Sequence, residues 1–196
     1  PRRLQPLFAR FGIRPTYLLS PEVIADPSSR EVLKSLSDVE LTTHLHGDYV
    51  VPSIKSWDFA GTLTDEMQLE YGESLERAKM ETLTELFRQQ FGHQPLSFRA
   101  GRFGASRHTG RILKDLGYRV DSSVTPHVCW TTRTGEKRPD YRGYPENPYT
   151  LGSEGDIARP GSGGILELPI TILSPSAIAS NNPAEPIWFR PWYSDE

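Results

Sequence analysis

The sequence lacks most of the features that mark specialised classes of protein. Its 196 residues include one cysteine, Cys129, which excludes an internal disulfide and leaves the redox compartment open. No run of about 18 apolar residues occurs, so the sequence predicts no transmembrane helix. The net charge is −3 at pH 7, and Lys and Arg are spread among Asp and Glu without forming a basic stripe. We therefore expect neither a membrane span nor a nucleic-acid partner.

What the sequence does contain is a repeated alternation of helix and strand patterns. Hydrophobic residues make up 36% of the chain, enough for the core of one domain. The spacing of apolar residues predicts helices at 4–11, 27–36, 65–91 and 109–116, and strands at 15–19, 39–43, 96–99, 118–121 and 165–170. Ser28 or Ser29 and Thr109 are the expected helix caps. Such alternation predicts parallel strands with right-handed crossovers, in a doubly wound sheet or a closed (β/α) barrel.

A long irregular stretch interrupts this alternation. Residues 122–164 are rich in Pro, Gly, Arg and Tyr and show no helical period. Irregular stretches of this length in a compact domain usually cover a functional face, so we expect this one to lie near the site. We predict that 1–196 is a single domain, with a long irregular insertion at about 122–164.

Two histidines stand at the end of one predicted strand, in the stretch LTTHLHGDYV. Residues two apart in a strand project to the same face, so His44 and His46 can converge on one metal ion if the extended conformation persists. Neutral imidazoles suit zinc, nickel or cobalt, and Asp48 is the local candidate for an additional carboxylate ligand. An ordinary hydrogen-bonded pair of surface histidines is the alternative at this point.

A glycine-flanked turn follows another predicted strand, in the stretch FRAGRFG. Arg99 ends that strand, and the turn contains Arg102 and Phe103, where exposed backbone N–H groups could stabilise an oxyanion. A loop with two solvated arginines is the alternative. Asp121 ends the next strand, and we predict that it forms a charge-assisted hydrogen bond with Arg99.

Taken together, five segments resemble the polysaccharide deacetylase family, also called the NodB-homology carbohydrate esterases. In order they are ARFGIRPTYLL, VELTTHLHGD, SFRAGRFGAS, ILKDLGYRVDSSVTP and GILELPITIL; they are spread from residue 9 to residue 173, so the resemblance extends over nearly the whole chain. The resemblance implies a distorted (β/α) barrel of the NodB-homology type, incomplete at both ends in this chain. It also implies removal of acetyl groups from N-acetylated sugars or polysaccharide, with one divalent metal held by Asp-His-His. That metal is expected to be zinc, with cobalt and nickel as alternatives.

The resemblance also implies roles for individual residues. His44 matches the first metal histidine, whereas the second commonly lies four residues further on, where this chain has Asp48. We therefore take the nearer His46 as the second ligand and hold Asp48 as the alternative. Arg99 matches the arginine of the third motif, and Phe103 matches the residue whose backbone N–H helps form the oxyanion hole. Asp121 is the expected acid that partners the arginine. Arg102 and Trp130 are expected to contact a carbohydrate substrate. Further aromatic residues that could stack on sugar rings are Trp57, Tyr141, Tyr144, Trp188 and Trp192.

Two motifs of the family are expected outside these residues. One, before Pro1, would supply the catalytic base and an aspartate ligand, and one after Glu196 would supply the general-acid histidine. We therefore expect the 196-residue chain alone to be inactive.

Two other functions stay open. One is a carbohydrate-binding relative without catalysis, and the other is an amidohydrolase-type metal hydrolase, which needs histidines at later strand ends; here His93 follows a helix, His108 precedes one and His127 lies in a loop.

Overall fold

A mainly parallel sheet of six strands organises the part of the chain that the computed structural model describes, residues 4–50, 67–131, 138–174 and 186–188. In space the strands lie in the order β1-β2-β3-β4-β6-β5, and all neighbours are parallel except β5 and β6. A separate antiparallel pair is formed by β7 and β8. The predicted mixed α/β class is confirmed. The strands are β1 (Thr16–Leu19), β2 (Glu40–Leu45), β3 (Ser97–Ala100), β4 (Val120–Asp121), β5 (Tyr149–Thr150), β6 (Leu166–Glu167), β7 (Ile172–Leu173) and β8 (Ile187–Trp188).

The strand predictions are confirmed in number and order for β1 to β4 and β6, with two differences. The strand that carries the first histidine, β2, extends to Leu45, so His44 is part of the sheet. The stretch at 122–164 is not wholly irregular, because β5 lies within it and pairs with β6 at Tyr149 and Glu167. β5 was not predicted because it directly follows the turn-forming residues Pro145, Asn147 and Pro148, so that no apolar run marks it as a strand.

Four of the five helices in the described ranges lie close to predicted positions, and the short helix at Pro21–Ala25 was not predicted. The longest one, α4, begins at Glu73 and not at 65, because Gln68–Glu70 form a 3₁₀ turn and Gly72 is extended; residues 65 and 66 lie outside the described ranges. It ends at Gly92, whose φ of 77° lies in the left-handed region that favours glycine. The helices are α1 (Leu4–Arg10), α2 (Pro21–Ala25), α3 (Pro27–Lys34), α4 (Glu73–Phe91) and α5 (Thr109–Asp115).

Two predicted helix caps were wrong. The cap of α3 is Asp26, whose carboxylate accepts a hydrogen bond from the Ser29 N–H at 2.7 Å. Pro27 occupies the first helical turn, where its fixed φ suits a helix and its missing N–H costs nothing. The cap position of α5 is His108, and the hydroxyl of Thr109 instead donates to the buried carboxylate of Glu76 at 2.6 Å.

The core lies between α4 and one face of the sheet. Leu83 and Phe87 are fully buried on α4, as the apolar spacing of this helix predicted, and Phe98 is fully buried on β3. Polar groups also take part in this interface: the Tyr118 hydroxyl lies 2.9 Å from the hydroxyls of both Thr43 and Thr84. The helix-covered face therefore carries satisfied polar groups within an apolar core.

The first helix differs from the others because none of its residues is buried. Leu4 is 53% exposed, and Phe11, just beyond the helix, is 63% exposed, so the apolar stripe predicted for this segment lies at the surface. On α3 the predicted stripe is also only partly correct: Leu33 is buried, whereas Val32 is 44% exposed. None of the helices in the described ranges is long and apolar enough to cross a membrane.

Shortening a core residue of α4 should reduce stability much more than shortening an exposed residue of α1. Leu83→Ala should lower the free energy of unfolding by about 2–5 kcal/mol, because it opens a cavity at a fully buried position. Leu4→Ala is the matched control and should change it by less than about 0.5 kcal/mol. Urea unfolding followed by circular dichroism measures both. Equal losses in the two variants would show that α4 is not at the core.

Candidate functional site

The pairing of β2 with β3 brings the predicted site residues to one side of the sheet. His44 lies opposite Arg99 in the parallel register, so the two side chains project from the same face. A cavity of about 230 Å³ opens there. Four residues predicted from the sequence line this cavity, namely His44, Arg99, Arg102 and Phe103, together with Leu18 and Ala100.

The two histidines converge as the strand geometry predicted. Their Nε2 atoms are 3.0 Å apart, and their rings meet edge to face. Two imidazole nitrogens bound to one zinc ion in tetrahedral geometry would lie about 3.3 Å apart, which is close to this separation. The Nδ1 atom of His44 is 2.9 Å from the backbone carbonyl of Arg99. A carbonyl oxygen can accept a hydrogen bond but cannot donate one, so neutral His44 carries its proton on Nδ1. The lone pair of Nε2 then faces His46.

The environment keeps both histidines neutral. Burial, and after it the repulsion that two imidazolium charges on His44 and His46 would feel, lower the pKa of His44 to about 4. Burial also lowers the pKa of His46, and the neighbouring carboxylate of Glu22 opposes this shift. Unprotonated imidazoles are the form that binds a metal. At neutral pH both rings are therefore uncharged. Because Nε2 of His44 carries a lone pair, the 3.0 Å contact is a hydrogen bond from the Nε2–H of His46, and a metal ion bound by both rings would take the place of that proton.

A third ligand is not present in the described ranges. No group of three or more His, Cys, Asp or Glu side chains there could hold a metal ion. Asp48, the alternative second ligand, lies in a 3₁₀ turn that ends the extended conformation after His46, and its carboxylate pairs with Arg102 at 3.2 Å. The described residues thus provide part of a metal site. They supply two oriented imidazole nitrogens, whereas a typical catalytic zinc ion has three protein ligands.

A buried lysine holds the turn that follows the histidines. Lys79 of α4 is 2% exposed, and its ammonium donates to the carbonyls of Gly47 at 2.7 Å and Val50 at 2.9 Å. Gly47 has no room for a side chain, because a Cβ there would lie 2.1 Å from the Tyr71 hydroxyl. Sequence reasoning missed Lys79. The available signal was its position on the apolar stripe of α4, one residue before Met80.

The predicted direct hydrogen bond between Arg99 and Asp121 is wrong. In the register of β3 with β4, Asp121 lies opposite Phe98, so its side chain projects from the other face of the sheet than Arg99. Arg99 instead donates two hydrogen bonds to Ser122. Its Nε donates to the Ser122 carbonyl at 2.8 Å, and one of its terminal nitrogens donates to the Ser122 hydroxyl at 2.9 Å. Burial lowers the pKa of Arg99, and the charges of Asp121 and Glu167 oppose that shift. The acid therefore acts on the arginine through Ser122 and at longer range.

The glycine-flanked turn is tightly constrained. Arg102 and Phe103 both have left-handed backbones, with φ of 52° and 55°. A Cβ at Gly101 would lie 2.3 Å from the Leu45 carbonyl, so this position requires glycine. The Tyr141 hydroxyl donates to the carbonyl of Phe103. The turn is thus held against both the end of β2 and the later loop.

An aromatic cluster extends the cavity wall. The ring of Phe103 stacks on Trp130 with centroids 5.7 Å apart, and Trp188 lies 5.9 Å from Trp130. The guanidinium of Arg99 lies over the Phe103 ring at 5.9 Å. Among the other aromatics predicted to stack on sugars, Tyr141 is 2% exposed and belongs to the core with Tyr144 beside it, and Trp57 and Trp192 lie outside the described residues.

The remaining histidines do not approach the cavity lining. His93 contacts Phe87 beyond the end of α4, His108 lies 3.5 Å from Glu73, and His127 lies 2.5 Å from Glu146. An amidohydrolase-type site needs further histidines beside the first two, so this geometry does not favour that alternative.

Comparisons with known proteins support the fold. The chain is similar in structure to a protein from Mycobacterium smegmatis named "putative polysaccharide deacetylase", with a TM-score of 0.54 and 19% sequence identity. The match covers 86% of this chain and 44% of that chain, so this chain spans less than half of its neighbour. No protein-family model and no curated protein matches the sequence. At 19% identity the likeness shows the fold alone.

Replacing the buried lysine should destabilise the protein and loosen the turn after His46. Lys79→Met removes the ammonium that donates to the buried carbonyls of Gly47 and Val50. The Gly47 carbonyl keeps the Val50 N–H at 3.3 Å, whereas an acceptor that loses its donor, as at Val50, costs about 1–3 kcal/mol. Lys114→Met, at an exposed position of α5, is the matched control. Urea unfolding measures the loss, and hydrogen exchange at residues 44–50 measures the loosening. If the exchange rates of residues 44–50 in Lys79→Met equal those of the wild type, Lys79 does not stabilise this turn.

Proposed function

We propose that this chain carries part of the active site of a metal-dependent hydrolase that removes acetyl groups from N-acetylated sugars or polysaccharide. The observation that carries the proposal is the 3.0 Å separation of the His44 and His46 Nε2 atoms beside a cavity lined by Arg99. The family resemblance of the sequence and the likeness to the mycobacterial neighbour, whose name is that of a polysaccharide deacetylase, support the same reaction class.

In this proposal the sheet is part of a distorted (β/α) barrel of the NodB-homology type. The parallel order β1-β2-β3-β4 and the likeness to the mycobacterial neighbour over 86% of this chain support this fold. In such barrels functional side chains gather at the carboxyl ends of the strands. His44, Arg99 and the segment after Asp121 all lie at that end, which agrees with a site there.

His44 and His46 would be two of the metal ligands, and an aspartate from a segment outside these residues would be the third. The donor set suits zinc, with cobalt and nickel as alternatives. When bound, such a metal supplies a Lewis acid that polarises a carbonyl oxygen and activates water for attack on it. The carbonyl of Arg99 keeps the proton of His44 on Nδ1 and so presents Nε2 as the ligand atom.

The chain's own residues would orient the reacting groups and the sugar. Arg99, held by two hydrogen bonds to Ser122, would orient the carboxylate base supplied from outside these residues. The turn at Phe103 would supply a backbone N–H to the developing oxyanion. Trp130 and Trp188 would offer an apolar surface to the sugar, and Arg102 would donate to its polar groups.

The activity itself gives the most direct test of this function. A protein that contains this chain together with the base and acid segments should release acetate from N-acetylhexosamine oligosaccharides. A chelator should stop the reaction, and zinc, cobalt or nickel should restore it. The 196 residues alone should release none. If the longer protein binds a metal and N-acetylated sugars and still frees no acetate, it is a carbohydrate-binding relative and the hydrolase proposal fails.

The same longer protein tests the role of Arg99. Arg99→Leu should lower kcat by about tenfold to a hundredfold and change KM less, because the lost interaction orients the reacting groups and not the bound sugar. Arg107→Leu, at an exposed position outside the cavity lining, is the control and should leave both constants near wild type. A rise in KM with unchanged kcat would instead assign Arg99 to substrate binding.

A further inference from the structure

Two carboxyl groups lie side by side on the helix-covered face of the sheet. Asp121 and Glu167 are opposite each other in the parallel register of β4 and β6, so their side chains project from the same face. Both residues are fully buried. Isolated charged residues in a buried strand are unusual, and two that lie opposite each other on neighbouring strands require an explanation.

The hydrogen bonds of the pair are asymmetric. Oδ1 of Asp121 accepts from the Ser122 N–H at 2.8 Å and from the Ser123 hydroxyl at 2.6 Å. Oε1 of Glu167 accepts from the Val124 N–H at 3.0 Å, which is its one hydrogen bond among the described residues. Within the described ranges, Oδ2 of Asp121 and Oε2 of Glu167 are buried and have no hydrogen-bond partner. Two adjacent carboxylates can provide the missing partner to each other only if one of them carries a proton.

We propose that Glu167 is a neutral carboxylic acid whose Oε2–H donates to Oδ2 of an ionised Asp121, and that this shared proton positions Arg99 through the segment 122–124. The proton belongs on Glu167, because Asp121 already has two donors that stabilise its charge and Glu167 has one. With one proton, both otherwise unpartnered oxygens are satisfied, and the pair keeps a single negative charge.

The segment that the pair holds leads directly to the cavity. Ser122, fixed by its N–H to Asp121, accepts two hydrogen bonds from Arg99. The hydroxyl of Ser123 accepts from the backbone N–H of Ala100, the residue after Arg99. Val124 is fixed from the other side by Glu167. Glu167 is therefore a positioning residue: it touches neither the cavity nor the histidines, and it acts through Asp121 and residues 122–124.

Electrostatics of the surroundings agree with one shared proton. Burial raises the pKa of Glu167 well above its usual range, and the charge of Asp121 is the second cause. Burial also raises the pKa of Asp121, although its hydrogen bonds and Arg99 oppose the shift. The charged and titratable groups that influence the pair are Arg99, which lies on the other face of the sheet and favours one negative charge, and Tyr141 and Tyr149, whose pKa values are raised by burial, so that both stay neutral.

The pH dependence of stability tests the shared proton without any measurement of activity. The native pair retains a proton that the unfolded chain releases above the ordinary glutamate value of 4.5, so the stability from this pair is fully present below that value and is lost as pH rises through the native pKa. In Glu167→Gln the amide can accept from Val124 and donate to Asp121 at every pH. The difference between wild type and variant therefore isolates the proton from all other titrating groups.

We expect urea unfolding between about pH 5 and about pH 8 to show the variant gaining stability relative to wild type as pH rises. The ratio of the two unfolding equilibrium constants should change by up to about tenfold per pH unit, the value for one proton. Glu154→Gln, at an exposed position, is the control and should keep the wild-type pH profile. A ratio that does not change with pH, or failure of Glu167→Gln to fold at about pH 5, would overturn the shared proton.

The consequence for Arg99 rests on the proposed function and has its own readout. In the longer, metal-loaded protein, Glu167→Leu should lower kcat as Arg99→Leu does, with a smaller change in KM, and Glu167→Gln should restore kcat to within about threefold of wild type. If Glu167→Gln passes the unfolding test and Glu167→Leu leaves kcat unchanged, the proton is present but does not position Arg99. If the wild type has no activity, only the proposed function fails, because the unfolding result stands independently.

Discussion

The parallel register of β2 with β3 is the constraint on which the candidate site depends. It sets His44 opposite Arg99, and the alternation along the strand then directs His46 to the same side. A shift of one residue would turn both histidines toward α4 and bring Leu45 to the cavity. The carbonyl of Arg99 also fixes the proton of His44, so the same pairing that positions the ring selects its tautomer.

The helix-covered face supports this site with buried polar groups, each of which holds a segment next to the cavity. Lys79 holds the turn after His46, and the pair of Asp121 and Glu167 holds the residues that anchor Arg99. Glu76 is fully buried and accepts from Gln68 and Ser106, at 2.7 and 2.5 Å, in the region where the glycine-flanked turn leads into α5. Such groups cost free energy to bury, and their positions indicate that they orient loops as well as stabilise the fold.

Much of the fold follows from patterns in the sequence, and part of the site does as well. Apolar spacing predicted α4 and its buried Leu83, and period-two alternation predicted that His44 and His46 share a face. The predicted hydrogen bond between Arg99 and Asp121 was wrong, because the face from which Asp121 projects depends on the register between β3 and β4, which no local pattern specifies. Glu167 was missed for the same reason. Its single charge in the apolar run ILELPI was a signal of burial, but its partner is set by the neighbouring strand.

A crystal structure of the protein with zinc or cobalt bound, with the ion located by anomalous scattering, would show whether His44 and His46 share one metal ion. We expect one ion within about 2.0–2.3 Å of Nε2 of both histidines, with Nδ1 of His44 still donating to the Arg99 carbonyl. An ion held by only one of the two rings, or rings that point to opposite sides of the sheet, would contradict this expectation.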